Sequence, residues 1–167
     1  MNARTSSASR PILGLFAWFG LVAAAATLAS FASLGAPEFY RALARPAWAP
    51  PASVFGPVWT ALYAMMAFAA WLVWREADSR HGRIALALFL VQLALNVLWS
   101  WLFFAWHLGM WSVIDIAILW CAIVATIYAF WHVRPLAAAL LLPYLAWVKF
   151  AAALNFTVWR LNPALLG

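Results

Sequence analysis

Charge is what this chain has least of. Only 8% of its 167 residues are Asp, Glu, Lys or Arg, too few to cover a water-soluble domain of that length. Glycine is sparse, at seven residues, and no glycine run precedes a Lys-Ser/Thr pair, so a phosphate-cradling loop is excluded. The single cysteine, Cys121, excludes an intramolecular disulfide framework. It has no adjacent base, and His81, His107 and His132 are nowhere paired at metal-ligand spacing. No two carboxylates share an apolar stretch. These absences leave no catalytic residues and no metal site to name. Ten Lys and Arg oppose four Asp and Glu, but they sit at the ends of apolar stretches rather than clustering as in a nucleic-acid binder. No nucleic-acid partner is expected, and anionic lipid headgroups are the natural counterpart.

Apolar residues are abundant, at 69% of the chain, with a mean hydropathy of +0.94. Five long runs predict membrane-spanning helices at about 12–34, 55–74, 84–106, 110–131 and 136–158. At about 1.5 Å per residue each crosses a hydrocarbon layer of roughly 30 Å. The ten-residue alternation of a membrane barrel is missing, and backbone groups in lipid pair most simply within a helix. The expected architecture is a single all-α domain over residues 1–167, an integral, multi-pass bundle of five transmembrane helices. The first run, Pro11 to Leu34, is longer than the roughly 7–15 residues of a signal-peptide core, so a retained first helix is expected. Ser53 is placed to cap the second span, with Pro57 in its first turn. Pro135 opens the fifth span, and Pro143 should kink it by depriving the Ala139 carbonyl of a donor. Arg4, Arg10, Arg75, Arg80, Arg83 and Arg134 flank one side, against Arg41, Arg45 and Arg160 on the other. The bias puts the N-terminus on the cytoplasmic or equivalent side.

The one sizeable connection is residues 35–54, between the first two spans. Its prolines, in "ARPAWAPPASVFGPVWT" (44–60), hold the chain away from helical dihedrals and lower the entropy lost on ordering. Glu38, Tyr40 and Arg41 suggest a short surface helix at its start, and the whole reads as a semi-rigid, proline-rich lid loop.

Thirteen tryptophans admit two readings. Trp74, Trp106, Trp111, Trp131 and Trp159 fall near span ends, where an aromatic belt is ordinary. Trp18, Trp71, Trp99, Trp101, Trp120 and Trp147 lie deeper, where flat rings either pack the core or wall a cavity for a flat ligand. Gln92, Asn96 and Trp99 share one face of the third span, extended by Ser100. Amides there need partners on another helix, with Tyr63, Tyr144 and Asn155 as candidates, or on a ligand. Asp115 and Lys149 form a candidate buried ionisable pair, since a lysine can snorkel toward the carboxylate's level. Ala17, Gly20, Ala24 and Leu28 make a stripe on the first span. Its small residues allow close approach, so it is a candidate homodimer interface.

Four ordered motifs go further. "WAPPASVFGPVWTALY" (48–63), "QLALNVLWSWLFF" (92–104), Asp115 and "LLPYLAWVKFAAALNFTVW" (141–159) closely resemble the tryptophan-rich sensory protein family, which includes the mitochondrial translocator protein. The resemblance runs from about residue 12 to 162. It implies a five-helix, usually dimeric membrane receptor or sensor. Its ligands would be porphyrins such as protoporphyrin IX, benzodiazepine-type drugs and, in several members, cholesterol. Porphyrin would be a ligand rather than a required cofactor, with a role in tetrapyrrole regulation or trafficking. Porphyrin degradation driven by light or oxygen is an alternative, as is a structural or regulatory role without a small-molecule ligand. Photosynthetic relatives point to a bacterial outer membrane, the inner membrane being the other choice. Carried across by position, Tyr40 resembles the loop tyrosine over the ligand, Trp59 and Asn96 the wall groups of the second and third helices, and Trp147 and Ala151 the fifth-helix wall. The family's sterol pattern keeps Leu154, Asn155 and Arg160 but has Phe156 where animal members carry tyrosine.

Overall fold

The computed structural model describes residues 6–76 and 79–167. Among them no strand occurs, and five helical segments are long and apolar enough to cross a membrane: Arg10–Ala32, Ala52–Trp74, Arg80–Ala105, Gly109–Trp131 and Pro135–Leu161. The first lies in α1 (Ser6–Ala32), followed by the short α2 (Ala36–Ala42). Then come α3 (Phe55–Trp74), α4 (Arg80–Ser100) and α5 (Gly109–Trp131). The last span is divided into α6 (Pro135–Leu140) and α7 (Leu142–Leu161), and α8 (Pro163–Leu166) ends the chain. Arg4, counted above for orientation, lies outside the described residues.

The spans close into a ring. α1 packs along α3, α3 along α6, the α6–α7 span along α5, α5 along α4, and α4 back along α1. Toward the N-terminal side the ring is solid, because Ala69, Ala70, Ala85, Ala137 and Ala138 are fully buried and let the backbones approach. Phe89 and Phe130 fill what remains, stacked at 6.0 Å, with Trp18 edge-on to Phe89 at 5.9 Å. Gly14 is part of this closeness. A Cβ there would fall inside the Trp74 ring. α3 leans on α6 at this end; toward the other side it leaves α7, and a void opens between them.

Three local details differ from the sequence reading. Ser53 does not cap α3. It sits inside a 3₁₀ turn, Ala52–Val54, that leads into α3 without a side-chain cap. Pro57 is the third residue of α3, where a missing N–H leaves no bond unmade. The expected kink at Pro143 is a one-residue break at Leu141, which puts Pro143 in the first turn of a new helix. α1 begins before Pro11 and carries it inside. The cost is one intrahelical bond, the one its missing N–H would donate four residues back, and the Pro11 carbonyl also accepts from the Trp71 indole N–H at 2.8 Å. α4 has a cap that the hydropathy reading passed over: Ser79 accepts from the Gly82 N–H at 3.0 Å.

The two faces of the bundle are each tied. Arg134 before α6 pairs with Glu76 after α3 at 2.9 Å. At the opposite face Asn162 holds the first loop from both sides, accepting from Ala44 N–H at 2.8 Å and donating to Ala44 C=O at 2.9 Å.

Candidate ligand cavity

The void between α1, α3, the end of α4 and α7 has a volume of about 550 Å³, inside the roughly 300–1,000 Å³ of ordinary small-molecule sites. Its walls are apolar. Small residues of α1 (Ala23, Ala26, Ala29) face the aromatics Phe55, Trp59, Phe103 and Phe104. Ala151 and Leu154 of α7 form the third wall. α2 is the roof.

The roof is fastened by its aromatic residues. Tyr40 is buried, with its hydroxyl donating to the Pro50 carbonyl at 2.9 Å and its ring edge-on to Phe55 at 5.5 Å. The Arg45 guanidinium covers the Tyr40 ring at 4.6 Å, a cation–π contact worth roughly 0.5–1 kcal/mol at exposed sites. Phe39 stacks on His107 at 4.2 Å and meets Phe103 edge-on at 5.9 Å. These contacts depend on an irregularity that sequence reasoning did not find. After Ser100 the helix widens into a π segment, Trp101–Ala105, closed by Trp106 N–H donating to Trp101 C=O. His107 then takes a left-handed φ of 55°. The extra residue per turn brings both Phe103 and Phe104 to the cavity, and wide turns of this kind are frequent at functional sites. The run "WSWLFFAWHLG" gives no cue for it beyond the crowding of rings.

The wall of α3 and the polar face of α4 meet behind the cavity. Trp59 lies 5.4 Å from Tyr63 and 6.2 Å from Tyr144. Tyr63 donates its hydroxyl to Asn96 Oδ1 at 2.6 Å. Asn96 is therefore not itself a lining residue. It stands one layer back and orients Tyr63, which is. Nearer the roof, the Trp99 indole N–H donates to Asn155 Oδ1 at 2.9 Å, and Asn155 Nδ2 donates to Ser112 Oγ at 3.0 Å. Three helices are joined by that relay, and Asn155 lines the cavity.

The structure distributes the other candidates as follows. Tyr40, Trp59, Ala151 and Leu154 are at the cavity. Trp147 is beside it, edge-on to Phe55 at 5.9 Å, with its indole N–H buried and without a partner. Phe156 and Arg160 are exposed on the outer surface of α7, about half a turn round from buried Leu154. The three do not share a face, because residues two apart on a helix point nearly opposite ways. The pairing of Asp115 with Lys149 is not formed either. Asp115 is buried at 5% exposure and Lys149 is exposed, and the ion pairs among the described residues are Arg41–Glu38 and Arg134–Glu76. Ala17, Gly20, Ala24 and Leu28 all face outward on α1, with open space around Gly20. Among the described residues His, Cys, Asp and Glu form no group of three able to hold a metal ion.

A closed ring of five apolar helices with a roofed, aromatic cavity defines an integral, multi-pass membrane protein with an internal site for a hydrophobic molecule. The chain belongs to the TspO/MBR family, whose pattern matches residues 16–160. It is 42% identical to the human translocator protein over 127 residues, 75% of each chain. It is 40% identical to the tryptophan-rich protein TspO of Chlorobaculum tepidum over 160 residues, 93% of this chain and 99% of that one. The tryptophan-rich sensory protein of Cereibacter sphaeroides is 37% identical over 142 residues, 85% and 88% of the two chains.

Proposed function

We propose that the protein is a membrane receptor for flat, hydrophobic ligands, a porphyrin such as protoporphyrin IX foremost, with a sensing or trafficking role in tetrapyrrole metabolism. The observation that carries this reading is the cavity of about 550 Å³ with aromatic walls under α2. Trp59, Phe55 and Phe103 offer ring faces and edges to a flat macrocycle. The unpartnered indole N–H of Trp147 is a donor in reserve beside the wall. Benzodiazepine-type drugs and sterols fall within the same chemistry. The outward stripe of Ala17, Gly20, Ala24 and Leu28, with exposed Ala87 and Ala94 on α4, supports a homodimer in which small residues let helices of two copies touch. The proposed setting is a bacterial membrane, the outer one first.

The test is a fluorescence titration with protoporphyrin IX in matched detergent. Binding quenches tryptophan emission saturably, and Trp59→Ala weakens it by about tenfold or more, the loss of one stacked ring. Absence of saturable quenching in the wild type, or an unaltered Trp59→Ala curve, removes the assignment. A second expectation follows from the outward face of Phe156. Phe156→Tyr leaves porphyrin binding unchanged. It strengthens a sterol bound on the outer surface of α7 by no more than about tenfold, the range of one net hydrogen bond. Altered porphyrin affinity in that variant would show that residue 156 reaches the cavity.

A further inference from the structure

The cavity is not closed on every side. Its lining residues Trp99, Ala151 and Leu154, on α4 and α7, are buried. On α1 and α3, by contrast, Ala23, Ser30, Gly56, Thr60 and Ala64 both line it and are exposed. Its mouth therefore lies between α1 and α3. Both helices are membrane spans, so the mouth faces hydrocarbon rather than water. No lining residue carries a charge, and the polar chemistry rests on neutral groups. Ser30, Ser33 just past the end of α1, and Thr60 supply hydroxyls along the two helices that frame the mouth. Their protons are already committed. Ser30 Oγ donates to Ala26 C=O at 2.8 Å, Ser33 Oγ to Ala29 C=O at 3.0 Å and Thr60 Oγ1 to Gly56 C=O at 2.9 Å. The other lining hydroxyls, of Tyr40, Tyr63 and Ser100, likewise donate within the chain. Such a hydroxyl keeps its lone pairs and becomes an acceptor.

We infer that Ser30, Ser33 and Thr60 determine specificity, selecting flat hydrophobic molecules tipped with a neutral hydrogen-bond donor: an alcohol, an N–H or a protonated carboxyl. An incoming donor adds a bond to one of these oxygens and breaks none. An incoming carbonyl or ether oxygen receives a hydroxyl proton only by taking it from the helix carbonyl that holds it, one bond for another. Water does not level the difference, because hydrocarbon offers the ligand's polar atom no partner before it enters. An ionised end group finds no counter-charge on the walls. This inference rests on the cavity being the ligand site proposed above, and it adds which end of the ligand is read and by which side chains.

Two pyrenes of nearly equal size separate the cases on the full chain in detergent: 1-pyrenemethanol, which donates, and 1-pyrenecarboxaldehyde, which only accepts. Both quench tryptophan emission by energy transfer, and their affinities are compared per mole fraction in the micelle. The alcohol should bind about three- to tenfold tighter, the range of one net hydrogen bond. In the triple variant Ser30→Ala, Ser33→Ala, Thr60→Val that preference should fall to about one through the alcohol alone. Unchanged aldehyde binding then reports an intact cavity. Equal affinities in the wild type overturn the proposal without any variant, as does a preference that survives the triple substitution. Made singly, the three substitutions should divide the loss among them. A preference untouched by any of the three overturns the proposal even if the triple variant fails to fold. Failure of both pyrenes to bind the wild type saturably would be a different result, removing the cavity as the ligand site and this inference with it.

Discussion

An Ala151→Trp variant is expected to lose porphyrin binding by about a hundredfold or more, roughly 2.7 kcal/mol, while still assembling as a five-helix bundle. Ala151 lines the α7 wall at 7% exposure, and across the void stand the small side chains of α1. An indole at 151 occupies the ligand's own volume, so the larger residue meets space rather than packed neighbours. Inserting bulk into a filled core usually costs about 1–3 kcal/mol; here the loss of stability should lie at or below the low end of that range. Binding by the fluorescence titration and melting by circular dichroism separate the two effects. Retained affinity would show that the ligand is seated elsewhere, and failure to assemble would show that the void is smaller than its walls indicate.

The second large effect is expected at Asn155. Asn155→Leu removes the acceptor of the Trp99 indole N–H and the donor to Ser112 Oγ together, leaving the indole N–H buried and unpaired while Ser112 keeps only its bond to the Gly109 carbonyl. At about 1–3 kcal/mol for the orphaned indole N–H, the variant should melt below the wild type. Its ligand affinity should fall too, because Trp99 and Asn155 both line the cavity. Asn155→Asp keeps an acceptor for Trp99 and serves as the comparison. If leucine melts like the wild type, the relay is incidental to the fold.

The spans were legible because hydropathy and length are enough to mark a membrane helix. What lies along each helix was legible only in part. In a soluble protein, polar residues mark the outer face of a helix and so give its rotation. Here both faces are apolar, and only scattered polar side chains report which way a helix turns. Gln92, Asn96 and Trp99 did so correctly for α4, all three being buried. No such marker distinguishes the outward Phe156 from the inward Leu154. The π segment at Trp101–Ala105 was hidden for another reason. Its setting is tertiary, with the Phe103 ring packing against Phe39 of α2, and local propensity carries no trace of it. Lys149 misled because snorkelling distance allows a pairing that the rotation of α7 forbids.

The apolar lining of the cavity bears on how affinity should be measured. A molecule arriving from the bilayer leaves surroundings as oily as those it enters, so the transfer gains almost nothing from the hydrophobic effect that dominates binding from water. Discrimination among lipophilic molecules then rests on shape, ring stacking and a few fixed polar atoms. Occupancy follows the ligand's mole fraction in lipid or micelle, and doubling the detergent at constant total ligand should halve it near the low-saturation limit. Dissociation constants quoted per litre of buffer would therefore differ between preparations of the same protein with an unaltered site.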